Sequence, residues 1–289
     1  MSKYFSCLFF PLTVVVIAVA AVIALQFGAA PSALPVAATV IALALVLVVE
    51  ARAPRVRKRA EPGEFAADVR YATLTAVVDG AAQAGISAVV ILAAAVLPLT
   101  LLSEIFLPLG VVLALLVGGL GDYWAHRWSH EWSWWWRLHS VHHAPHRMVA
   151  LNNLRLHPVD LALKLAASMV PLLLLGFSPE VLAMVGVLKG LTVAFQHANL
   201  DLRHGALNYI FATNSVHRWH HSSEAGEANA NYGGILMVFD LLFGSYRVPR
   251  EGLEPKQMGL FDERFYPIHQ VWRASVAPLC WQRCVEKKL

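Results

Sequence analysis

The chain has 289 residues, 57% of them hydrophobic and 15% charged, against about 25% charged in an ordinary water-soluble domain. With a mean hydropathy of +0.55, this composition points away from a water-surrounded core and toward a bilayer. The net charge of +4 is small, and its one basic run lacks interleaved aromatics, so no nucleic-acid partner is expected.

The first apolar run, residues 5–27, exceeds the roughly 7–15 apolar residues of a signal peptide and suits an uncleaved membrane helix. The second, residues 34–49, precedes a loop carrying Arg52, Arg55, Arg57, Lys58 and Arg59. Short Lys/Arg-rich loops lie on the cytoplasmic side of a membrane. Residues 71–102 are long enough for one span plus a bend, with limits blurred by Asp79-Gly80 and Pro98. Residues 105–120 form a fourth span. Residues 161–175 and 181–195 are a shorter apolar pair around Gly176-Phe177-Ser178-Pro179, a turn signal, and are expected to form a short or re-entrant hairpin. Counting from the basic loop puts every histidine cluster on the cytoplasmic face.

The expected fold is therefore all-α: one polytopic membrane domain over 1–289, with about four transmembrane helices plus a short hairpin. Residues 1–120 are membrane helices, 121–246 a catalytic region with a cytoplasmic, helical, histidine-rich metal site, and 247–289 a cytoplasmic tail. Cys7, Cys280 and Cys284 make neither a disulfide framework nor a zinc pattern, and reduced thiols are expected.

All 13 histidines lie from His126 onward. His126 and His130 stand at i, i+4 behind the fourth span. His139, His142 and His143 stand at i, i+3, i+4, and His217, His220 and His221 repeat that spacing. On a helix each set shares one side of a turn. Crowded neutral imidazoles compete for hydrogen bonds and crowded cationic ones repel, whereas a metal resolves both conflicts. Eight imidazoles in the two triplets and the pair exceed the four that one tetrahedral zinc takes and suit two ions. Imidazole accepts Zn, Cu, Fe or Ni. A di-zinc membrane hydrolase and a metal transporter stay open as alternatives to a redox-active iron pair. By contrast His146, His204 and His269 read as ordinary surface or core residues. Asp122, one turn before His126, and Asn231 and Asp240 nearby are placed to hold ligating imidazoles from behind. Glu224 is a further polar residue of this kind. The cluster Trp124, Trp128, Trp132, Trp134, Trp135 and Trp136 reads as an interfacial aromatic belt.

The motifs also resemble a known family. GDYWAHRWSH (121–130), WRLHSVHH (136–143), LNNLRLHP (151–158), QHAN (196–199), HRWHHS (217–222), NYG (231–233) and FDLLFG (239–244) occur in the order found in the fatty acid hydroxylase/sterol desaturase superfamily. The resemblance implies a non-haem di-iron centre that uses O2 to oxidise an unactivated C–H bond of a membrane lipid, fatty acyl chain or sterol, by hydroxylation or desaturation. It implies His126, His130, His139, His142, His143, His197, His217, His220 and His221 as iron ligands, with His157 a ligand or a group behind the ligands. Where some members carry a second histidine four residues after the one matching His197, this chain has Asp201. Neither a flavin or dinucleotide fingerprint nor a fused haem domain is evident. Electrons are therefore expected from a separate cytochrome b5-like protein, ferredoxin or reductase. The expected location is the bacterial inner membrane.

Overall fold

A computed structural model of the chain describes residues 2–57, 60–94, 100–248, 254–261 and 265–282. Lys58 and Arg59 of the basic run, Pro98 and Cys284 lie outside the described residues. The described chain is helical, with only two isolated β-bridges, Phe211 to Leu236 and Ser222 to Met258.

Helix α1 spans Lys3–Gln26 and starts on Ser2, whose hydroxyl accepts the Phe5 N–H. Helix α2 spans Leu34–Arg52. Its buried residues Ala38, Ala42, Val46 and Glu50 recur every fourth position, the spacing that keeps one face inward. Helix α3 runs without a break over Glu64–Ala94, starting seven residues before the expected span, and the Glu64 carboxylate accepts the Glu61 N–H at 2.8 Å. Helix α4 covers Leu107–Glu131. It outruns the apolar stretch that predicts it and so carries His126 and His130 within the helix.

A kink at Trp132 leads into α5, Ser133–His143. Helix α6, Pro158–Leu174, and helix α7, Pro179–Gln196, form the hairpin. Gly176 turns the chain at φ +72°, a conformation that suits glycine, and Ser178 caps α7. Short helices α8 (Asn214–His220), α9 (Ala225–Ala228), α10 (Val238–Leu242) and α11 (Val271–Val276) follow. Among the described residues five helices are long and apolar enough to cross a bilayer: α1 with Lys3–Gln26, a stretch Pro31–Arg52 that holds α2, α3, α4 and α7. Helix α7 is thus long enough to cross, beyond the short hairpin expected. The protein is a polytopic, all-α membrane protein.

Close helix packing fixes the bundle. Gly121 of α4 faces the Ala167 carbonyl of α6 so closely that a Cβ could not fit. Gly190 of α7 similarly admits Thr39 of α2, and Gly186 admits Pro35. Small residues let membrane helices approach where no hydrophobic force drives them together. These contacts make α2 parallel to α7. The C-terminal ends of α2, α4 and α7 therefore gather at one end of the bundle, where the histidines lie.

The expected tail is folded back in its described part. Tyr266, Ala274 and Ala277 pack with Tyr71, Val141 and Ala144, joining the stretch to α3 and α5. Cys7 is free, whereas Cys280 is disulfide-bonded. That departs from the reduced thiols expected.

Candidate metal centre

Nine histidines from four separate parts of the chain converge in two buried sets. His126, His130, His139, His143 and His220 form one; His142, His197, His217 and His221 form the other, and the ligand nitrogens within each set lie within 4.8 Å of one another. The triplets do not each serve one set. In α5 the i and i+4 residues, His139 and His143, enter the first set, while His142 crosses to the second. At α8 His217 and His221 enter the second set, while His220 crosses to the first. Each triplet therefore bridges both sets, a sharper arrangement than three imidazoles on one side of a turn. The seam between sets is tight, with His143 and His221 stacked at 4.2 Å between ring centroids.

The second set shows what such crowding demands. His221 Nε2 lies 3.1 Å from the Nε2 atoms of His142, His197 and His217, and His197 and His217 are 3.2 Å apart. A ring nitrogen carries at most one hydrogen, so His221 Nε2 cannot satisfy three partners. Two imidazoles on one ion, at metal–nitrogen distances of about 2.0–2.1 Å, hold their nitrogens about 3.0–3.4 Å apart. The observed separations match a shared ion. In the first set His126 and His139 bring their Nε2 atoms to 3.1 Å. The Nε2 atoms of His130, His143 and His220 are buried without a hydrogen-bond partner, which is costly unless something else binds them. The residues present thus fit two metal ions held by imidazole alone.

Five Nδ1 atoms point outward to acceptors: His126 to Tyr232 O at 2.8 Å, His130 to Asn229 Oδ1 at 3.2 Å, His139 to Asp160 Oδ2 at 2.9 Å, His197 to Asn152 Oδ1 at 2.8 Å and His220 to Ala230 O at 2.8 Å. Donation from Nδ1 fixes the tautomer that leaves the Nε2 lone pair inward. Lys164 Nζ also lies 2.8 Å from His139 Nδ1. That nitrogen can serve only one of the two, and the carboxylate is the partner that accepts its hydrogen. Lys164 pairs instead with Asp160 at 3.4 Å. Burial holds His139, His142, His143, His197, His217 and His221 neutral, well below the usual histidine range, and neighbouring imidazoles or Lys164 add to the effect. Burial lowers His220 to about 4. Neutral imidazole is the form that binds a metal.

The remaining expected residues fall in different places. His157 stands outside both sets: its Nδ1 accepts the Val159 N–H at the start of α6, and its Nε2 lies 3.0 Å from the Ser275 carbonyl. It caps a helix and pins the C-terminal stretch, with no nitrogen left for an ion. Asp122 lies against Gly234 and reaches no histidine among the described residues. Asp240 accepts from the Tyr232 and Gly233 N–H groups and from Ser245. Asn231, at φ +58°, bonds Val216 O and Arg247. Both therefore shape the 229–233 loop, which presents Asn229, Ala230 and Tyr232 to three histidines, rather than touching an imidazole themselves. Glu224 leads into α9. Asp201 pairs with Arg55 at the surface.

Asp160, Asn152 and Asn229 were not singled out by spacing. Asp160 sits in the first turn of α6, where an acid reads as an ordinary helix-start residue. The aromatic belt divides: Trp132 and Trp134 are exposed, whereas Trp135 is buried and donates its indole N–H to Asp160 at 2.8 Å.

The fold and the centre together define a class: a helical membrane protein with two adjacent histidine sets, each able to hold a metal ion, at one end of its bundle. Residues 111–245 match the fatty acid hydroxylase family, in keeping with the superfamily the motifs resemble. Similar proteins include an ornithine lipid hydroxylase of Rhizobium tropici, 37% identical over 48% of this chain and 42% of that protein. Alkylglycerol monooxygenases of Danio rerio (30% identical; 59% of this chain, 37% of that protein) and Caenorhabditis elegans (26% identical; 52% and 30%) are also similar. The matched stretches thus span less than half the length of these relatives. No solved structure matches.

Proposed function

We propose that this protein is a di-iron lipid oxygenase that inserts oxygen into, or desaturates, an unactivated C–H bond of a membrane lipid, with an acyl aminolipid of the ornithine lipid type as the first substrate to test. The observation that carries the reading is the pair of adjacent, buried, all-imidazole sites at the end of a membrane bundle. A bound iron pair would supply the two-electron activation of O2 that an acid or base cannot provide. In hydroxylation one oxygen atom enters the C–H bond and the other leaves as water. Two electrons come from a separate redox protein, and two protons from solvent. The similarity to relatives named as lipid hydroxylases and monooxygenases supports this chemistry over hydrolysis.

Each part of the chain has a task in this reading. Helices α4, α5, α7 and α8 bring nine imidazoles together. The 229–233 loop, Asp160 and Asn152 hold five of them in the metal-binding tautomer. Burial by Trp135, Trp136 and Trp219 keeps water from the site. The basic loop after α2 supports a centre on the cytoplasmic side, where reduced electron carriers are present, and the bacterial inner membrane is the proposed location.

The test is lipid mass spectrometry of cells with and without the protein. A product heavier by one oxygen means hydroxylation; one lighter by two hydrogens means desaturation. The purified protein is expected to hold two irons. Turnover that persists without O2 would sink the oxygenase reading.

A further inference from the structure

Glu50 carries a carboxyl group near the end of a membrane helix, and the residue is only 8% exposed. An ionisable group so placed is costly unless it has a task. It closes the buried stripe Ala38, Ala42, Val46 along α2, the face that the glycines of α7 let approach. That register brings Glu50 to the end of α7, where His197 lies. Its Oε1 accepts the Asn199 N–H at 2.7 Å and the Ala150 N–H at 3.2 Å.

The two backbone groups it joins matter. Asn199 is two residues after His197, and Ala150 is two residues before Asn152. Asn152 Oδ1 is the acceptor for His197 Nδ1, at 2.8 Å. Glu50 therefore ties together the two segments whose side chains make that bond. The loop after α2 adds to the hold: Asn199 bonds Val56 through both side-chain atoms, and its carbonyl accepts the Arg55 N–H.

We infer that Glu50 is a positioning residue for the second metal site, acting through the His197–Asn152 pair, so that a membrane helix outside the matched stretch 111–245 completes the centre. This rests on the two-metal reading of the site. Glu50 touches no ligand directly. Its effect is selective, falling on the site of His142, His197, His217 and His221 and not on the other.

The experiment uses the full-length protein in detergent. Iron(II) is loaded anaerobically and counted by mass spectrometry after desalting. Cobalt(II) is titrated as an optical probe of imidazole coordination. Wild type is expected to hold two ions. Glu50→Leu is expected to keep one tightly and to bind the other at least 10-fold more weakly, the scale seen when a group behind a metal ligand is removed. Glu50→Gln, which keeps one acceptor oxygen, is expected to recover part of the loss. His197→Ala should weaken the same site, and adding Glu50→Leu to it should cause no further loss, because both act on one ligand.

A Glu50→Leu protein with a wild-type titration would overturn the proposal. So would additive losses in the double variant, or equal loss of both ions from a monodisperse Glu50→Leu protein. Should Glu50→Leu fail to fold, the same cycle is read on Glu50→Gln. A wild-type protein that holds no ion overturns the two-metal reading and this proposal with it. Two tightly held ions without O2-dependent turnover overturn only the lipid-oxidation reading.

Discussion

Asp160 has three donors around it. It accepts from His139 Nδ1 at 2.9 Å and from Trp135 Nε1 at 2.8 Å, with Lys164 at 3.4 Å. Asp160→Ala removes the acceptor that orients His139, and is expected to lower metal affinity at the five-histidine site by about 10- to 100-fold; cobalt titration measures this. His157 makes the opposite prediction. Its bonds are to Val159 and Ser275, so His157→Ala should keep both ions while lowering stability by about 0.5–2 kcal/mol, the range for a lost helix cap. Loss of an ion from that variant would place His157 among the ligands after all. Eight of the nine converging histidines are legible in the sequence because their spacing is short-range and their chemistry narrow, whereas His197 stands alone in the chain and is reached only through the QHAN motif of the resemblance. Asn152 and Asp160 are not legible, because a polar residue behind a ligand looks like any cap or turn residue until the fold brings it to within 3 Å.

At the level of helices, the site depends on how closely α4 meets α6. Gly121 stands against the Ala167 carbonyl, whereas Gly80 of α3 has nothing within 4 Å of where its Cβ would lie. The two glycines therefore predict opposite outcomes for one substitution. Gly121→Ala must push α6 away, at a cost of about 1–3 kcal/mol for overpacking, and should loosen Asp160 and so the His139 site. Gly80→Ala should be neutral or stabilising by up to about 1 kcal/mol, because alanine is the better helix former. Thermal unfolding in detergent, followed with metal content, separates the two. Apolar runs located the helices well, but they stopped where hydrophobicity stopped. Helix α4 continues to Glu131 because its last turns are packed by tertiary contacts at the metal site, and such contacts leave no local periodic signal. For the same reason the division of each triplet between the two histidine sets is not legible in the sequence: it is set by where α5 and α8 face each other, not by spacing within either.

Over the whole molecule, the N-terminal third is more than an anchor. Its apolar composition reads only as membrane helices, yet Glu50, Glu64 and Asp68 reach from it into the region around the centre. Arg155, wholly buried, is ion-paired to Asp68 and donates to the Glu64 and Ile268 carbonyls. Glu61 makes a second tie at the surface, accepting from His146 Nδ1 at 3.0 Å and His269 Nε2 at 2.9 Å. It thereby joins the stretch before α3, the loop after α5 and the C-terminal stretch. These hydrogen bonds, His269 first, hold the Glu61 carboxyl at about 2, below its ordinary 4.5. A carboxyl depressed on folding contributes stability that is fully present above its unfolded pKa and is lost as pH falls through its folded one. The contribution should therefore be constant above about pH 5 and fade between 4.5 and about 2. Glu61 is 42% exposed at its side chain, so solvent screens the tie and its size is modest. Metal-free wild type and Glu61→Gln, unfolded by denaturant in detergent across this range, are expected to differ most near neutral pH and to converge toward pH 2. A difference that stays constant down to the acid limit would mean that Glu61 acts through packing rather than through its charge.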